Sequence, residues 1–397
     1  MARRTDRARS LDVTTLTALD STDVVATRVR EACAARTPLR IVGRGHWLDV
    51  GRPCDAIDRL ELGALSGITE YEPGDLTLTA KAGTSLAEID TATASEGQWL
   101  TLDPFGPRDG TIGATIATAS WGPLASAFGT PRDHLLGCEV VTGSGEVVRA
   151  GGRVVKNVAG FDLARLMCGA WGTLGVITSV SVRLRARPEA DVTLAIELDA
   201  RRDDPCTDAW RWLRASTFTP LAAELCSPAL ARALGVGDRL TLLMRLGGNE
   251  SLVRAARDSV AELGAPREVV VDVWDRLRAA EPSGAAVIRL GTLPANVGAL
   301  WSNASESVER AGGFAHATLE RGVVRCVVPV TAIDEENGRL RGIIGALQST
   351  GSRVAERLPP ALWSEVPSAI DNPLSSRIAN AFDPHRVLNP GILGALA

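Results

Sequence analysis

Apolar and polar positions along this chain follow two periods, and the points where the period changes mark out its elements. Leu76–Ala82 reads Leu-Thr-Leu-Thr-Ala-Lys-Ala, the two-residue period of a half-buried strand. Gly83 then turns the chain, and Ser85 with Glu88 predicts a capping box opening a helix that runs to about Glu96. Upstream, Ser21–Asp23 can cap a helix through about Ala35, and Leu39–Gly43 reads as a strand that ends in Gly-Arg-Gly. Leu135–Thr142 and Glu146–Ala150 flank Gly143-Ser144-Gly145, which predicts a hairpin, and Thr178–Leu184 alternates again.

Beyond Arg185–Ala190, where Pro188 sits among charged residues, the pattern becomes coarser and repeats itself. Val192–Leu198, Leu240–Leu246 and Val269–Val273 read as strands, with helices near 207–215 and 250–263. Ala286–Gly291, Phe314–Leu319 and Val323–Val328 read as a second strand set, with helices near 295–311 and 332–349. Two α/β halves sharing one antiparallel sheet is the architecture this order predicts. The chain thus divides into a tail (1–17), a mixed α+β domain (18–190), a second domain (191–365) and a C-terminal segment (366–397) expected to return to the first domain.

Composition narrows the function without choosing it. A chain of 397 residues that is 45% hydrophobic and 23% charged is long enough for two or three domains with sizeable cores. A net charge of −4 gives no reason to expect a nucleic-acid partner. The basic N-terminus leads into no apolar core of signal-peptide length, and no apolar run is long enough to span a bilayer. The seven cysteines are scattered, with no C-x-x-C pair, and the four histidines have no local ligand spacing. Neither a disulfide framework nor a metal site is expected, and the cytoplasm is the expected compartment.

The richest chemistry lies in Val154–Thr178, VVKNVAGFDLARLMCGAWGTLGVIT, where Gly160, Gly169, Gly172 and Gly175 crowd ahead of a β-branched strand. Glycines at this density let backbone approach a ligand closely. Lys156 is one of only two lysines among the 43 basic residues, the other being Lys81. A glycine-rich packing hairpin would account for the glycines equally well.

This run resembles the flavin-binding signature of the vanillyl-alcohol-oxidase (PCMH-type) FAD-binding family, and more closely that of FAD-binding subunits of bacterial glycolate oxidases. The likeness covers roughly residues 18–190 and a tail at Phe382–Leu393, FDPHRVLNPGIL. It implies an α+β fold: a PCMH-type, two-subdomain FAD-binding unit with an α/β cap domain on an antiparallel sheet. The first strand itself is followed by G-R-G-H-W-L, which lacks the third glycine of the Rossmann fingerprint.

FAD carries a pyrophosphate that needs several backbone N–H donors, which irregular glycine-rich turns supply as anion nests. The loop Val42, Gly43, Arg44, Gly45, His46, Trp47 is the first candidate, with Arg44 available to add charge. The second is Pro104–Gly122, where Pro104, Thr111, Gly113, Ala114, Thr118 and Ser120 leave room for a cofactor channel, although small residues also mark tightly packed helices. It matches the family's T-I-G-G segment, with Ala114 replacing the second glycine. The resemblance further implies that Gly169, Gly172, Thr173, Gly175 and Ile177 line the cofactor. Asn389, before Pro390 and Gly391, has an amide that could reach the flavin ring. Asp162 is expected to fix its own turn, and Trp171 stands where many relatives carry a smaller or acidic residue. Some members of the wider family bond a loop histidine to the flavin, so His46 makes a covalent link conceivable beside simple non-covalent binding.

The resemblance implies oxidation of small alcohols and 2-hydroxy acids, with glycolate going to glyoxylate. Catalytic relatives carry a His-rich metal and substrate motif in the cap, which this chain lacks. His316, in GGFAHATLERGVVR, is the only histidine there and the sole candidate for a catalytic role, with Arg321 and Arg325 close in sequence and a turn expected at Gly322. Three readings stay open. The chain is an FAD-binding subunit working beside a related catalytic flavoprotein and an iron–sulfur subunit, possessing membrane contact only through them. It is a free-standing FAD-dependent oxidase. Or it is a structural subunit that keeps the fold without chemistry.

Overall fold

The computed structural model describes residues 19–395 except 55, 57, 153–161, 200, 331–337, 339, 340, 342–344 and 346–351. The tail 1–17, the motif residues Lys156 and Gly160, and nearly all of the expected helix 332–349 therefore lie outside the described residues.

The helix Thr22–Ala35 starts at Ser21, whose side chain accepts a hydrogen bond from the Val24 amide. Its buried residues Val25, Ala26, Val29 and Ala32 form a stripe that packs with Leu39 and Leu60. Leu39 opens β1 (Leu39–Val42), which pairs in parallel with β2 (Asp58–Glu61). Next come β3 (Ile68–Glu72), β4 (Thr77–Lys81), β5 (Gln98–Trp99), β6 (Leu135–Val141), β7 (Val147–Gly151), β8 (Val176–Arg183) and β9 (Arg185–Ala186). Five of these form an antiparallel sheet in the order β3-β4-β8-β6-β7, while β5 pairs with β9. The Ser85–Glu88 capping box is present and opens the helix Leu86–Ala94. β6 and β7 make the hairpin expected around Gly143-Ser144-Gly145.

Part of Pro104–Gly122 takes the tightly packed helical form that its small residues also allowed. Ile112–Thr118 is helical, and Thr111 caps it by accepting from the Ala114 amide. Ile112 and Ile116 are fully buried in one core with Ala80 and Ala82, and a Cβ on Gly113 would lie 2.6 Å from that of Ala82, so this glycine serves close packing on the sheet.

The second sheet is built from β10 (Ala190–Glu197), β11 (Ala222–Cys226), β12 (Thr241–Gly248), β13 (Pro266–Val269), β14 (Ala286–Gly291), β15 (Phe314–Thr318), β16 (Val323–Val328) and β17 (Ser352–Arg357). All its pairings are antiparallel, in the order β13-β10-β12-β11-β15-β16-β14-β17. That order is a mirror image about the β11–β15 seam, because each half places its own strands fourth, first, third, second outward-to-centre. The two α/β halves predicted from the coarse repeat are this symmetry. The strand expected at Val269–Val273 sits earlier, at Pro266–Val269, since Val273 begins the helix Val273–Arg278.

The faces of this sheet differ sharply. Leu225, Ala315, Ala317, Val324, Cys326, Ile288 and Leu290 form its apolar face with helix residues such as Ala209, Leu300 and Trp301. The cross-strand partners Cys226, His316, Arg325 and Arg289 run in one row on the other face. That polar face is covered by the 103–128 segment of the first unit, through Phe105 against His316 and Arg321 donating to the Ala125 carbonyl. Residues 387–389 return alongside β1, where the Leu39 amide donates to the Val387 carbonyl at 2.7 Å.

Candidate functional site

A cleft opens where β1, the helix Ile112–Thr118, the 171–177 turn and the returning tail meet. Of the residues singled out as cofactor-binding, Val42, Gly43, Arg44, Gly45, His46, Trp47, Pro104, Thr111, Gly113, Ala114, Thr118, Gly172, Gly175, Ile177 and Asn389 line it. Ser120, Gly169 and Thr173 do not. Gly169 packs against Ala119 at the end of the helix, and the Thr173 hydroxyl is spent on the Ala170 carbonyl.

The loop after β1 is the part best suited to an anion. The amides of Gly43, Arg44, Gly45, His46 and Trp47 donate to no backbone carbonyl among the described residues. Successive unpaired amides of this kind are what a phosphate requires. A side chain cannot replace the hydrogen of Gly43, because a Cβ there would lie 2.6 Å from Thr111 Oγ1. The backbone itself therefore forms this wall, and these features fit FAD.

Arg44 does not face the cleft as a free cation, since its guanidinium meets Glu88 Oε2 at 3.1 Å. Hydrogen bonds from Ser85 hold the Glu88 carboxyl below its ordinary value, and Arg44 adds to this. His46 is similarly engaged, with Nε2 at 3.0 Å from Asp109 Oδ1.

Asn389 sits at the centre of the assembly and is only 4% exposed. Its Oδ1 accepts from the Ile41 amide at 2.8 Å, and its Nδ2 donates to the Trp171 carbonyl at 2.7 Å. The amide expected to reach toward a flavin is thus tied to the protein on both sides. Trp171 and Asn389 both take left-handed backbone, at φ +55° and +43°. Backbone held in this region by surrounding contacts clusters at functional sites. Gly172, at φ +71°, lies so close that a Cβ would meet Asn389 Nδ2 at 2.9 Å. Asp162 caps the helix Leu163–Met167 by accepting from the Arg165 amide, as a turn-fixing residue should.

The polar face of the second sheet brings together charges that the sequence leaves far apart. His316 Nδ1 lies 2.8 Å from Glu224 Oε2, both being almost fully buried, and Thr318 donates to the other carboxylate oxygen. Arg325 bridges Glu281 Oε1 and Glu356 Oε2 at 2.5 and 2.6 Å. Burial opposes the charge of Arg325, but Glu356 and Glu281 outweigh it and raise its pKa above the ordinary value. Arg289 and Arg321 both lie over the Trp121 ring, with the expected turn at Gly322 between Arg321 and Arg325. Phe105 stands between this group and the cleft, its ring 5.2 Å from that of His316 and 4.2 Å from the Arg325 guanidinium carbon.

Phe105, Glu224, Glu281, Arg289 and Glu356 escaped the sequence reading. A glutamate inside the apolar run Ala-Ala-Glu-Leu-Cys was the one local signal, because a charge in a buried strand requires a partner. Among the described residues no group of acidic, histidine or cysteine side chains is arranged to hold a metal ion. No helix among them is long and apolar enough to cross a membrane.

Known proteins match this geometry. The family model described as an FAD binding domain matches residues 15–151. The glycolate oxidase subunit GlcE of Escherichia coli (strain K12) is 34% identical over 261 residues, spanning 65% of this chain and 69% of that protein. The glycolate oxidase subunit GlcD of Bacillus subtilis (strain 168) is 37% identical over 130 residues, 33% of this chain and 28% of that protein. Among solved structures, p-cresol methylhydroxylase with substrate bound superposes with a TM-score of 0.72 at 15% identity, covering 94% of this chain and 87% of that one. That likeness places the fold in the PCMH-type class. On its similarity to GlcE, this chain belongs to the family of FAD-binding glycolate oxidase subunits.

Proposed function

We propose that this chain is the FAD-binding subunit of a glycolate-oxidase-like complex that oxidises a small 2-hydroxy acid, glycolate to glyoxylate, and passes electrons through flavin to a partner. The observation that carries the reading is the set of open amides at Gly43–Trp47 in a chain that matches GlcE over most of that protein's length. Residues 18–190 with 366–397 form the cofactor domain in this reading, and 191–365 form the cap. The partners are a related catalytic flavoprotein and an iron–sulfur subunit, and the complex works in the cytoplasm, touching a membrane only through those partners.

FAD, when bound, supplies the hydride acceptor and the electron relay. The protein's own groups bind and orient it. The amides of the 43–47 loop take the pyrophosphate, while Thr111, Ala114, Thr118, Gly172, Gly175 and Ile177 wall the remainder of the cleft. Asn389 fixes β1 against the Trp171 turn so that the two walls keep their spacing. His46 is held by Asp109, which favours non-covalent FAD. On the cap face, the Glu224 carboxylate lies 2.8 Å from His316 Nδ1 and fixes the orientation of the ring.

The test is the anaerobic visible spectrum of the purified chain before and after glycolate is added. A flavin band that persists with the chain alone and bleaches with its partners supports this reading. A band that bleaches with the chain alone makes it a free-standing dehydrogenase, with His316 as the first residue to replace.

A further inference from the structure

Arg40, Arg44 and His46 line the cofactor cleft, and no aspartate or glutamate among the described residues lines it with them. Two of the three are already paired. Arg44 meets Glu88 at 3.1 Å, and His46 meets Asp109 at 3.0 Å. Arg40 has no carboxylate partner among the described residues. Its Nη2 donates to the Trp47 carbonyl at 3.4 Å, and its Nη1 is buried with no hydrogen-bond partner.

The strand puts Arg40 there. In β1, Leu39 and Ile41 turn toward the core under the helix Thr22–Ala35, so the two-residue period sends Arg40 to the opposite side. A guanidinium nitrogen withdrawn from water without an acceptor costs free energy, and guanidinium cannot shed its proton to relieve it. An anion with several oxygens offsets that cost. The open amides of Gly43–Trp47 belong to the same loop whose last carbonyl Arg40 holds.

We propose that Arg40, and not Arg44, is the cation this chain sets against the diphosphate of FAD. Nη2 fixes the end of the amide loop, and Nη1 is left to donate to a phosphate oxygen. This rests on the proposed function, since it needs FAD in this cleft. It also replaces the expected charge: Arg44 is held by the glutamate of the capping box, whereas Arg40 reads in the sequence only as a polar position in a strand.

The test titrates the full chain, freed of flavin, with FAD and with riboflavin, which has the same ring system and no phosphate. Flavin fluorescence gives both affinities, and thermal melting follows the flavin-free protein. Arg40→Met keeps the apolar stem and removes the charge. It is expected to weaken FAD binding on the order of 10- to 100-fold, the range for one charge-assisted hydrogen bond, and riboflavin binding by less than about 3-fold. Without flavin it should melt no lower than wild type, because no ion pair is lost and an unpaired buried nitrogen is removed. Arg40→Lys keeps the charge without the planar fork, so its FAD affinity should fall between the two. Arg44→Met breaks a half-exposed ion pair and should weaken FAD binding by less than about 5-fold.

The inference is overturned if Arg40→Met weakens FAD and riboflavin alike, which would assign Arg40 to the ring, or if it changes neither. It is equally overturned if Arg44→Met lowers FAD affinity as much as Arg40→Met does. A flavin-free Arg40→Met protein that melts well below wild type, or fails to fold, would make Arg40 a structural tie and also overturn it. A wild type that binds no flavin defeats the proposed function itself, whereas a wild type that binds FAD with Arg40 indifferent defeats this inference alone.

Discussion

Asn389 Nδ2 donates to the Trp171 carbonyl at 2.7 Å, joining two residues 218 positions apart that both line the cleft. With the second bond from the Ile41 amide, one side chain aligns three separate stretches of chain. Both hydrogen bonds are part-buried, and removing the amide leaves each backbone group without its partner. Asn389→Ala is expected to lose about 2–6 kcal/mol of stability, at 1–3 kcal/mol for each orphaned group. FAD content should fall with it. Thermal melting and the ratio of flavin to protein absorbance measure the two effects, and a variant as stable and as yellow as wild type would show that the tie is incidental.

Gly43 and Thr111 form a complementary pair. Gly43→Ala should weaken FAD binding at least 10-fold, because its methyl would lie 2.6 Å from Thr111 Oγ1 and must displace either the loop or the helix cap. Combining it with Thr111→Ala, which removes the obstructing hydroxyl at a cost of about 1 kcal/mol in capping, should recover a large part of the affinity. Flavin fluorescence titration of the two variants separates a steric cause from general destabilisation, since only the former is relieved by the second change.

Asp103 gives the protein a pH dependence of stated sign. Burial raises its carboxyl to about 7, against the pull of Arg278, the Leu124 amide and Arg245. A group whose pKa is raised on folding adds most below its unfolded value and loses that contribution as pH climbs through the folded one. Stability should therefore fall from about pH 4 to just above pH 7 by on the order of 4 kcal/mol from this residue, at ~1.4 kcal/mol per pKa unit. Asp103→Asn still accepts from the Leu124 amide and should flatten that slope. Urea melts at pH 5 and pH 8 compare the slopes, and parallel profiles in both proteins would dismiss Asp103 as the cause.

Arg325 holds two buried carboxylates, Glu281 and Glu356, and its loss would leave them only the longer contacts with Arg357 and Arg289, at 3.3 and 3.4 Å. Arg325→Met is expected to cost about 3–5 kcal/mol, the usual consequence of breaking a buried ion pair from one side. Arg325→Lys should recover only part of this, because an ammonium cannot reach two carboxylates with the fork geometry of guanidinium. Chemical denaturation of the three proteins ranks them, and a lysine variant equal to wild type would show that charge alone suffices.

What the sequence determined by itself was local. Alternation at Leu76–Ala82, the Ser85–Glu88 capping box and the Gly143-Ser144-Gly145 turn each rest on neighbours within a few positions, and all of them appear in the structure. The loop after β1 was legible for the same reason, since its two glycines, Gly43 and Gly45, are neighbours that open an irregular turn. The short strand Ala222–Cys226 was not, because buried on both faces it has no alternation to read.

Tertiary structure alone decided the direction of each side chain across the two units. Nothing near Arg44 in sequence indicated Glu88, and nothing near Asn389 indicated Ile41 or Trp171. The mirrored sheet set His316 beside Glu224 at its central seam, and packing of the 103–128 segment set Phe105 over them. Hydrophobic periodicity fixes which face of a strand is buried, but not which distant segment covers it. Charge pairing across that boundary depends on the register of strands far apart in the chain, so it emerges only when the sheet has formed.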